Sequence, residues 1–216
     1  PIHRCDRLAG YLEDPYSVVD GIEVREIDAA EAVPACEEAV QQFPLETRFA
    51  FQLGRAFFAA SRYEDAAHWF GVAAEAGNSA AMNNLGVLHR LGRGVPQSYT
   101  EASLWFFRSA DAGAPQGMAN LGLLYREGNG VPRDDRKAVR WFRRAAEMGE
   151  PFAMRLLGQH LAEGRGVPSD DREAARWYRQ AALGGDVAAM NRVAGSYARG
   201  TGLPKDEGEA LRWYTA

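Results

Sequence analysis

The tryptophans of this 216-residue chain recur at a fixed interval. All five lie 36 residues apart, at Trp69, Trp105, Trp141, Trp177 and Trp213. A period of this length is typical of proteins made of stacked supersecondary repeats, in which one repeat cannot bury its own apolar face. Several methionines, glycines and alanines keep the same step, so the interval predicts the architecture of most of the chain.

Each repeat has the pattern of a helical hairpin. In one repeat, Met118, Leu121 and Tyr125 follow the spacing of a single apolar helix face. The loop at 128–132 ends that helix, because its first glycine tolerates a positive φ and its proline cannot continue a helix. Asp134 follows as the predicted N-cap of the second helix. The tryptophan of each second helix, with the aromatic ring beside it, is predicted to form the core.

These signals divide the chain into four regular repeats, a short repeat and an irregular arm. The regular repeats are 79–114, 115–150, 151–186 and a partial one at 187–216, and residues 47–78 form the short repeat. Residues 1–46 carry eleven acidic and three basic side chains. Within this arm, Asp28 and Pro44 are predicted to bound a capping helix.

The residues of these repeats carry a family resemblance. The motifs G-x-G-V-P, D-x-x-x-A-x-x-W-[FY] and A-A-x-x-G, repeated every 36 residues, resemble the Sel1-like repeat family. Residues 47–78 are closer to a tetratricopeptide repeat, and Ala194 departs from the family pattern where glycine is expected. The resemblance implies an all-α fold, a right-handed superhelical α/α solenoid of helical hairpins.

The same resemblance implies a bacterial scaffold or adaptor that binds a partner protein in a secretion, envelope or virulence system, and not an enzyme. A second interpretation is a regulatory or targeting repeat domain of a larger polypeptide whose enzymatic domain lies elsewhere. The absence of an initial methionine and the end of the sequence three residues after its last tryptophan favour the second interpretation.

The two cysteines, Cys5 and Cys36, both lie in the irregular arm. A disulfide between them would pin the arm as an N-terminal cap and would favour a periplasmic or secreted protein. The alternative is two unrelated buried thiols in a cytoplasmic protein.

The composition and the residue spacing argue against a catalytic, metal or nucleotide site. No histidine lies at a metal-ligand spacing from another histidine or cysteine, and no serine-nucleophile motif occurs. The glycine-rich loops follow helices and not strands, so they indicate turns and not a nucleotide site. We therefore expect no catalytic residue, metal or cofactor. The net charge of −4 does not favour nucleic acid, and no apolar stretch is long enough to span a membrane.

A binding surface is predicted by analogy with tetratricopeptide repeats, whose first helices line a concave groove. The predicted groove residues are Arg48, Phe51, Arg55, Asn83, Arg90, Arg126, Arg155, Gln159, Asn191 and Arg199. Arginine and amide side chains suit an extended protein or peptide that carries acidic residues or a free C-terminal carboxylate. The alternatives are that these arginines are solvated or paired with Glu127, Glu163 and loop acids, or that the acidic segment 11–31 itself occupies the groove.

Overall fold

The computed structural model describes residues 2–10 and 24–215, and within these ranges the regular structure is entirely helical. A short 3-10 helix spans Val24–Glu26. The α-helices are α1 (Arg4–Ala9), α2 (Ala29–Gln42), α3 (Thr47–Ala59), α4 (Tyr63–Glu75), α5 (Ser79–Leu91), α6 (Tyr99–Asp111), α7 (Pro115–Glu127), α8 (Asp135–Glu147), α9 (Pro151–Glu163), α10 (Asp171–Leu183), α11 (Val187–Arg199) and α12 (Glu207–Thr215). The all-α fold class predicted from the repeats is confirmed.

The helices pair as hairpins within two compact units. The N-terminal unit is Pro1–Gly117 and the C-terminal unit is Met118–Ala216. In the N-terminal unit α3 packs against α4, and α5 against α6, while α9 packs against α10 and α11 against α12 in the C-terminal unit. Below, the odd-numbered helices from α3 to α11 are the first helices of their hairpins, and the even-numbered helices from α4 to α12 are the second.

An aromatic ring packed on a glycine closes four of the five hairpins. In the N-terminal unit, a Cβ atom added to Gly54 would lie 2.6 Å from Cδ1 of Phe70. The ring can pack there only because glycine has no side chain. Gly86 with Phe106, Gly122 with Phe142 and Gly158 with Tyr178 repeat this contact. These four rings are buried, whereas the tryptophans are only half-buried. Of the aromatic pair predicted to form the core, the ring after the tryptophan faces the first helix and is buried, while Trp69 and Trp105 are partly buried against the same core.

The loops follow the predicted turn chemistry. The first loop glycines adopt positive φ values, as at Gly92 (66°) and Gly164 (65°). The second loop glycine is pressed against the preceding hairpin, since a Cβ on Gly166 would lie 2.3 Å from the Asp135 carbonyl oxygen. The predicted N-cap of α8 is also confirmed, because Asp134 accepts a hydrogen bond from the backbone N–H of Lys137 at 2.8 Å.

A disulfide joins the two α-helices of the irregular arm. Cys5 on α1 is bonded to Cys36 on α2, and both residues are fully buried. Asp28 caps α2 by accepting from the N–H of Ala30 at 3.0 Å, and the helix ends at Gln42, two residues before Pro44. The predicted Cys5–Cys36 pairing is thus present. Residues 11–23 of the acidic segment lie outside the described residues.

Candidate functional site

The surface predicted to bind a partner begins on α3, and α1 covers it. The carboxylate of Asp6 on α1 is completely buried and accepts from Nε of Arg48 at 3.2 Å and from Nε2 of Gln52 at 3.1 Å. The backbone N–H of His3 donates to the same side chain at 2.9 Å. Burying a carboxylate is costly unless donors surround it, and these three donors meet that requirement.

A buried arginine holds the other end of α1. Nη1 of Arg55 donates to the carbonyl oxygens of Ala9 and Gly10, the first of these at 2.7 Å. These oxygens lie at the helix C-terminus, where carbonyls lack partners within the helix and where a positive charge is favoured. Arg55 is therefore a structural residue of the N-terminal cap.

Two of the predicted groove residues consequently cannot serve as groove contacts. Phe51 is 1% exposed and Arg55 is 2% exposed, so neither side chain is available to a partner. Phe51 instead packs near Phe70, with ring centroids 5.9 Å apart. Burial contradicts the prediction at Arg55 because α1 occupies that part of α3, and at Phe51 because its ring packs towards Phe70 of α4.

The remaining groove residues of the N-terminal unit are partly accessible. Arg48 is half-buried between Asp6 and Glu46, and its guanidinium lies 4.4 Å from the centroid of the Phe49 ring. Asn83 and Arg90 on α5 are also half-buried. In the described part of the chain, Nε of Arg90 has no hydrogen-bond partner.

In the C-terminal unit, the corresponding first-helix surface is open. Nε of Arg155 on α9 donates to both carboxylate oxygens of Asp186, at 3.0 and 2.8 Å. The guanidinium also lies 5.0 Å from the centroid of the Phe152 ring. The two terminal nitrogens of Arg155 make no hydrogen bond to residues 2–10 or 24–215. The side chain is 22% exposed, so solvent or a ligand can reach it. Asp186 and Phe152 thus orient an arginine whose terminal donors stay available.

Other polar residues of this unit are paired or exposed. Arg126 forms an ion pair with Glu127 at 3.0 Å. Nε2 of Gln159 donates to Glu163 at 2.9 Å, and this bond is the main reason that the pKa of Glu163 lies below its usual value. Asn191 and Arg199 on α11 are exposed. The paired arginines agree with the alternative interpretation, in which nearby acids neutralise much of the predicted positive charge.

A buried histidine lies behind this surface on α9. Nδ1 of His160 is 2.9 Å from the carbonyl oxygen of Arg165, and its ring centroid is 5.4 Å from that of Phe142. Burial lowers the pKa of His160 below its usual value, so the neutral form is favoured. The residue has a structural position and is not exposed to a ligand.

Sequence reasoning missed Asp6, Gln52 and Asp186. Asp6 lies one residue after Cys5, so its burial could have been inferred from the disulfide that fixes the same helical turn. From the sequence, Asp186 is only an acidic residue that precedes α11. In the structure it caps that helix by accepting from the N–H of Ala189 at 2.8 Å. Its contact with Arg155 spans 31 residues, and spacing within a repeat does not reveal it.

The described residues also bear on metals and membranes. Among them, no group of three or more histidine, cysteine or acidic residues is placed to hold a metal ion. No helix in this part of the chain is both long and apolar enough to cross a membrane.

Comparison with known proteins places the repeats in a family. The family model for the Sel1 repeat matches residues 50–78, 79–113, 115–150, 151–186 and 187–216. No curated protein matches the chain. Sel1-like repeat proteins are generally protein-interaction scaffolds, and their fold is typically non-catalytic.

Two solved structures illustrate the similarity. A Sel1 repeat protein from Oxalobacter formigenes is 29% identical, with a TM-score of 0.78 over 85% of this chain and 74% of that chain. A protective antigen of uropathogenic Escherichia coli that has an SLR fold is 34% identical, with a TM-score of 0.74. That match covers 85% of this chain and only 40% of the antigen. The five matched repeats show that the chain belongs to the Sel1 repeat family, whose fold is a solenoid of helical hairpins.

Proposed function

We propose that the chain is a non-enzymatic scaffold that binds a partner protein or peptide on the first helices of its C-terminal unit. The proposed site consists of Arg126, Phe152, Arg155, Gln159, Asn191 and Arg199, which we call the first-helix face. The observation that carries the proposal is Arg155, which Asp186 and Phe152 hold in place while its terminal nitrogens stay unpaired among the described residues.

An oriented guanidinium favours a carboxylate ligand. The planar guanidinium can donate two parallel hydrogen bonds to one carboxylate, and amide side chains such as Gln159 and Asn191 can bond the backbone of an extended peptide. Because Asp186 already offsets the charge of Arg155, the preference comes from hydrogen-bond geometry more than from net charge. The ligand class is therefore an acidic segment or a free C-terminal carboxylate.

The test compares peptides with and without that carboxylate. The full chain is screened against random peptides with free C-termini and against the same peptides amidated, and the binders are titrated by calorimetry. Arg155→Lys keeps the charge but removes the fork, so we expect roughly tenfold weaker binding of the selected peptides. Arg133→Ala, which alters an exposed loop arginine, is the matched control and should leave binding unchanged. Equal binding by wild type and Arg155→Lys would reject the site.

We propose an extracytoplasmic location, which the buried disulfide supports because such bonds persist in oxidising compartments. Fractionation of the source cells, followed by trapping of free thiols, tests this location. A fully reduced protein in the cytoplasm would contradict it.

A second proposal is that the repeats serve as the interaction or targeting region of a longer polypeptide. It is favoured by the E. coli antigen, of which the matching repeats span only 40%. An immunoblot of source cells with antibodies against these repeats tests it, since a single band at the size of 216 residues would exclude it.

A further inference from the structure

The two compact units carry opposite net charges. The N-terminal unit has sixteen acidic and nine basic residues, whereas the C-terminal unit has thirteen acidic and sixteen basic residues. Because of this difference in charge, the acidic unit of one molecule attracts the basic unit of another over about a Debye length. The charge is also concentrated on particular helices of each unit.

Half of the sixteen basic residues of the C-terminal unit lie on two second helices. We call this surface the arginine face, and it consists of Arg136, Lys137, Arg140 and Arg144 on α8 with Arg172, Arg176 and Arg179 on α10. All seven side chains are exposed. Within the described residues, none of them forms an ion pair, although twelve ion pairs occur elsewhere.

The arginine face forms a continuous surface. Residues 136, 140 and 144 follow the four-residue spacing of one helix side, and the same spacing relates 172 to 176. An ion pair of 2.8 Å between Arg143 and Glu173 joins the two helices, so that they lie side by side. Seven cations that form no ion pair among the described residues thus lie on two linked helices, and Lys137 and Arg144 also lie over the rings of Tyr125 and Trp141.

The repeat fold does not require these cations. At the positions equivalent to Arg136 and Arg140, α4 carries Glu64 and His68, and α6 carries a threonine and a leucine. Those helices form the same hairpins without positive charge there. The arginine face is therefore a feature of two repeats and needs an explanation other than folding.

A matching negative surface lies on α2 of the N-terminal unit. We call Asp28, Glu31, Glu37 and Glu38 the α2 acidic face; all four are exposed, and α2 contains no basic residue. Only Glu31 of these forms an ion pair, with Arg4, as far as the described residues extend.

Each surface also ends in exposed apolar side chains. After α2 lie Phe43 and Leu45, which are 40% and 93% exposed. At the C-terminal ends of α8 and α10 lie Met148 and Leu183, 53% and 72% exposed. The two surfaces are thus opposite in charge, and each has exposed apolar side chains at its end.

We propose that the arginine face of one copy binds the α2 acidic face of a second copy, with the apolar ends packed together. The contact joins different surfaces of identical molecules, so each copy keeps one surface unoccupied and can extend the assembly. Exposed ion pairs contribute little individually and are screened by salt, so the association is weak and depends on ionic strength. It uses surfaces other than the first-helix face.

Sedimentation velocity of the full chain tests the association. At about 0.05 M salt we expect the average mass to rise with protein concentration, and at about 0.5 M salt we expect the monomer alone. The double variant Arg140→Glu/Arg176→Glu should lower the association constant at low salt by about tenfold or more. Arg192→Glu/Lys205→Glu makes the same charge change elsewhere in that unit and should retain most of the association. Circular dichroism verifies that each variant keeps its helices.

A charge swap identifies the partner surface. Glu37→Arg/Glu38→Arg should also weaken self-association by about tenfold or more, because it cancels the net negative charge of the α2 acidic face. Mixing this variant with Arg140→Glu/Arg176→Glu should restore association, since the first variant keeps an intact arginine face and the second an intact α2 acidic face. A wild-type chain that stays monomeric at low salt would overturn the proposal. Equal loss in the control variant, or no recovery in the mixture, would overturn it as well.

Discussion

Helices α3 and α9 are both the first helices of their hairpins. The N-terminal helix α1 packs on α3, whereas the corresponding surface of α9 is open. Position nine of the first helix is Arg55 in α3 and Gln159 in α9. Arg55 is buried against the end of α1, whereas Gln159 is half-buried and bonds to Glu163 of its own helix. The same repeat position can therefore be structural or available to a partner, depending on what the chain places above it.

The largest expected effect comes from truncating position nine in the two helices. Arg55→Ala removes a charged donor from two buried carbonyl oxygens, so we expect a loss of roughly 3–5 kcal/mol in the free energy of unfolding. Gln159→Ala removes only a surface hydrogen bond and should change that free energy by less than about 0.5 kcal/mol. Denaturant melts of both variants measure this. Similar losses at the two sites would contradict the distinction between α3 and α9.

Removing the disulfide should weaken the N-terminal cap selectively. Cys5→Ser/Cys36→Ser opens a loop with a sequence separation of 31 residues, and the chain-entropy estimate gives a loss of about 3–4 kcal/mol. Hydrogen exchange should become faster in α1 and α3 and stay unchanged in α9. Faster exchange throughout the chain would mean that the N-terminal cap stabilises hairpins beyond the one formed by α3 and α4.

The packing of rings on glycines should be equally important in both hairpins. Gly54→Ala and Gly158→Ala place a Cβ within 3 Å of Phe70 and Tyr178, so each should cost roughly 1–3 kcal/mol. Gly71→Ala is the control, because nothing lies within 4 Å of the added Cβ, and it should stabilise α4 by up to about 1 kcal/mol. Thermal melts compare the three variants. A neutral result at Gly54 or Gly158 would show that the ring can move aside.

The smallest effect concerns pH and is expected at His160 on α9. Burial lowers the pKa of His160, and Arg126, Arg165 and Asp135 are the charged groups near it. Below about pH 6.5 the imidazole of His160 is protonated more readily in the unfolded chain than in the folded chain. The free energy of unfolding therefore decreases as the pH is lowered.

His160→Leu should remove this part of the pH dependence, and the leucines at 88 and 124 show that the repeat accepts leucine there. The measurement is the midpoint of urea unfolding from pH 5 to pH 8 for both chains. An unchanged pH profile in the variant would assign the dependence to other groups.

The local structure was largely predictable from the sequence. A strict period, glycines that need positive φ and acidic N-caps placed the hairpins, since these signals act over a few residues. The disulfide was predictable because only two cysteines exist and both lie in the irregular arm. The aromatic pair of each second helix was predicted as core, but such a pair does not reveal which of its two rings faces the glycine of the other helix.

The binding surface was less predictable. Arg126, Arg155 and Gln159 are half-buried, so their part in binding stays a prediction, whereas Phe51 and Arg55 are buried and cannot take the predicted role. Ion pairs such as Arg155 with Asp186 join residues from different hairpins. Their formation depends on stacking, which no pattern within one repeat encodes.

The sequence by itself determined that this chain folds as Sel1-type helical hairpins with a disulfide-linked N-terminal arm, because periodicity, turn chemistry and cysteine count are local properties. Only the tertiary structure decided that α1 covers α3, that the buried rings are those after the tryptophans, and that seven basic side chains of α8 and α10 form no ion pair with any described residue. These features depend on side chains from distant segments competing for the same surface. Burial and charge pairing are settled only when the helices are packed together.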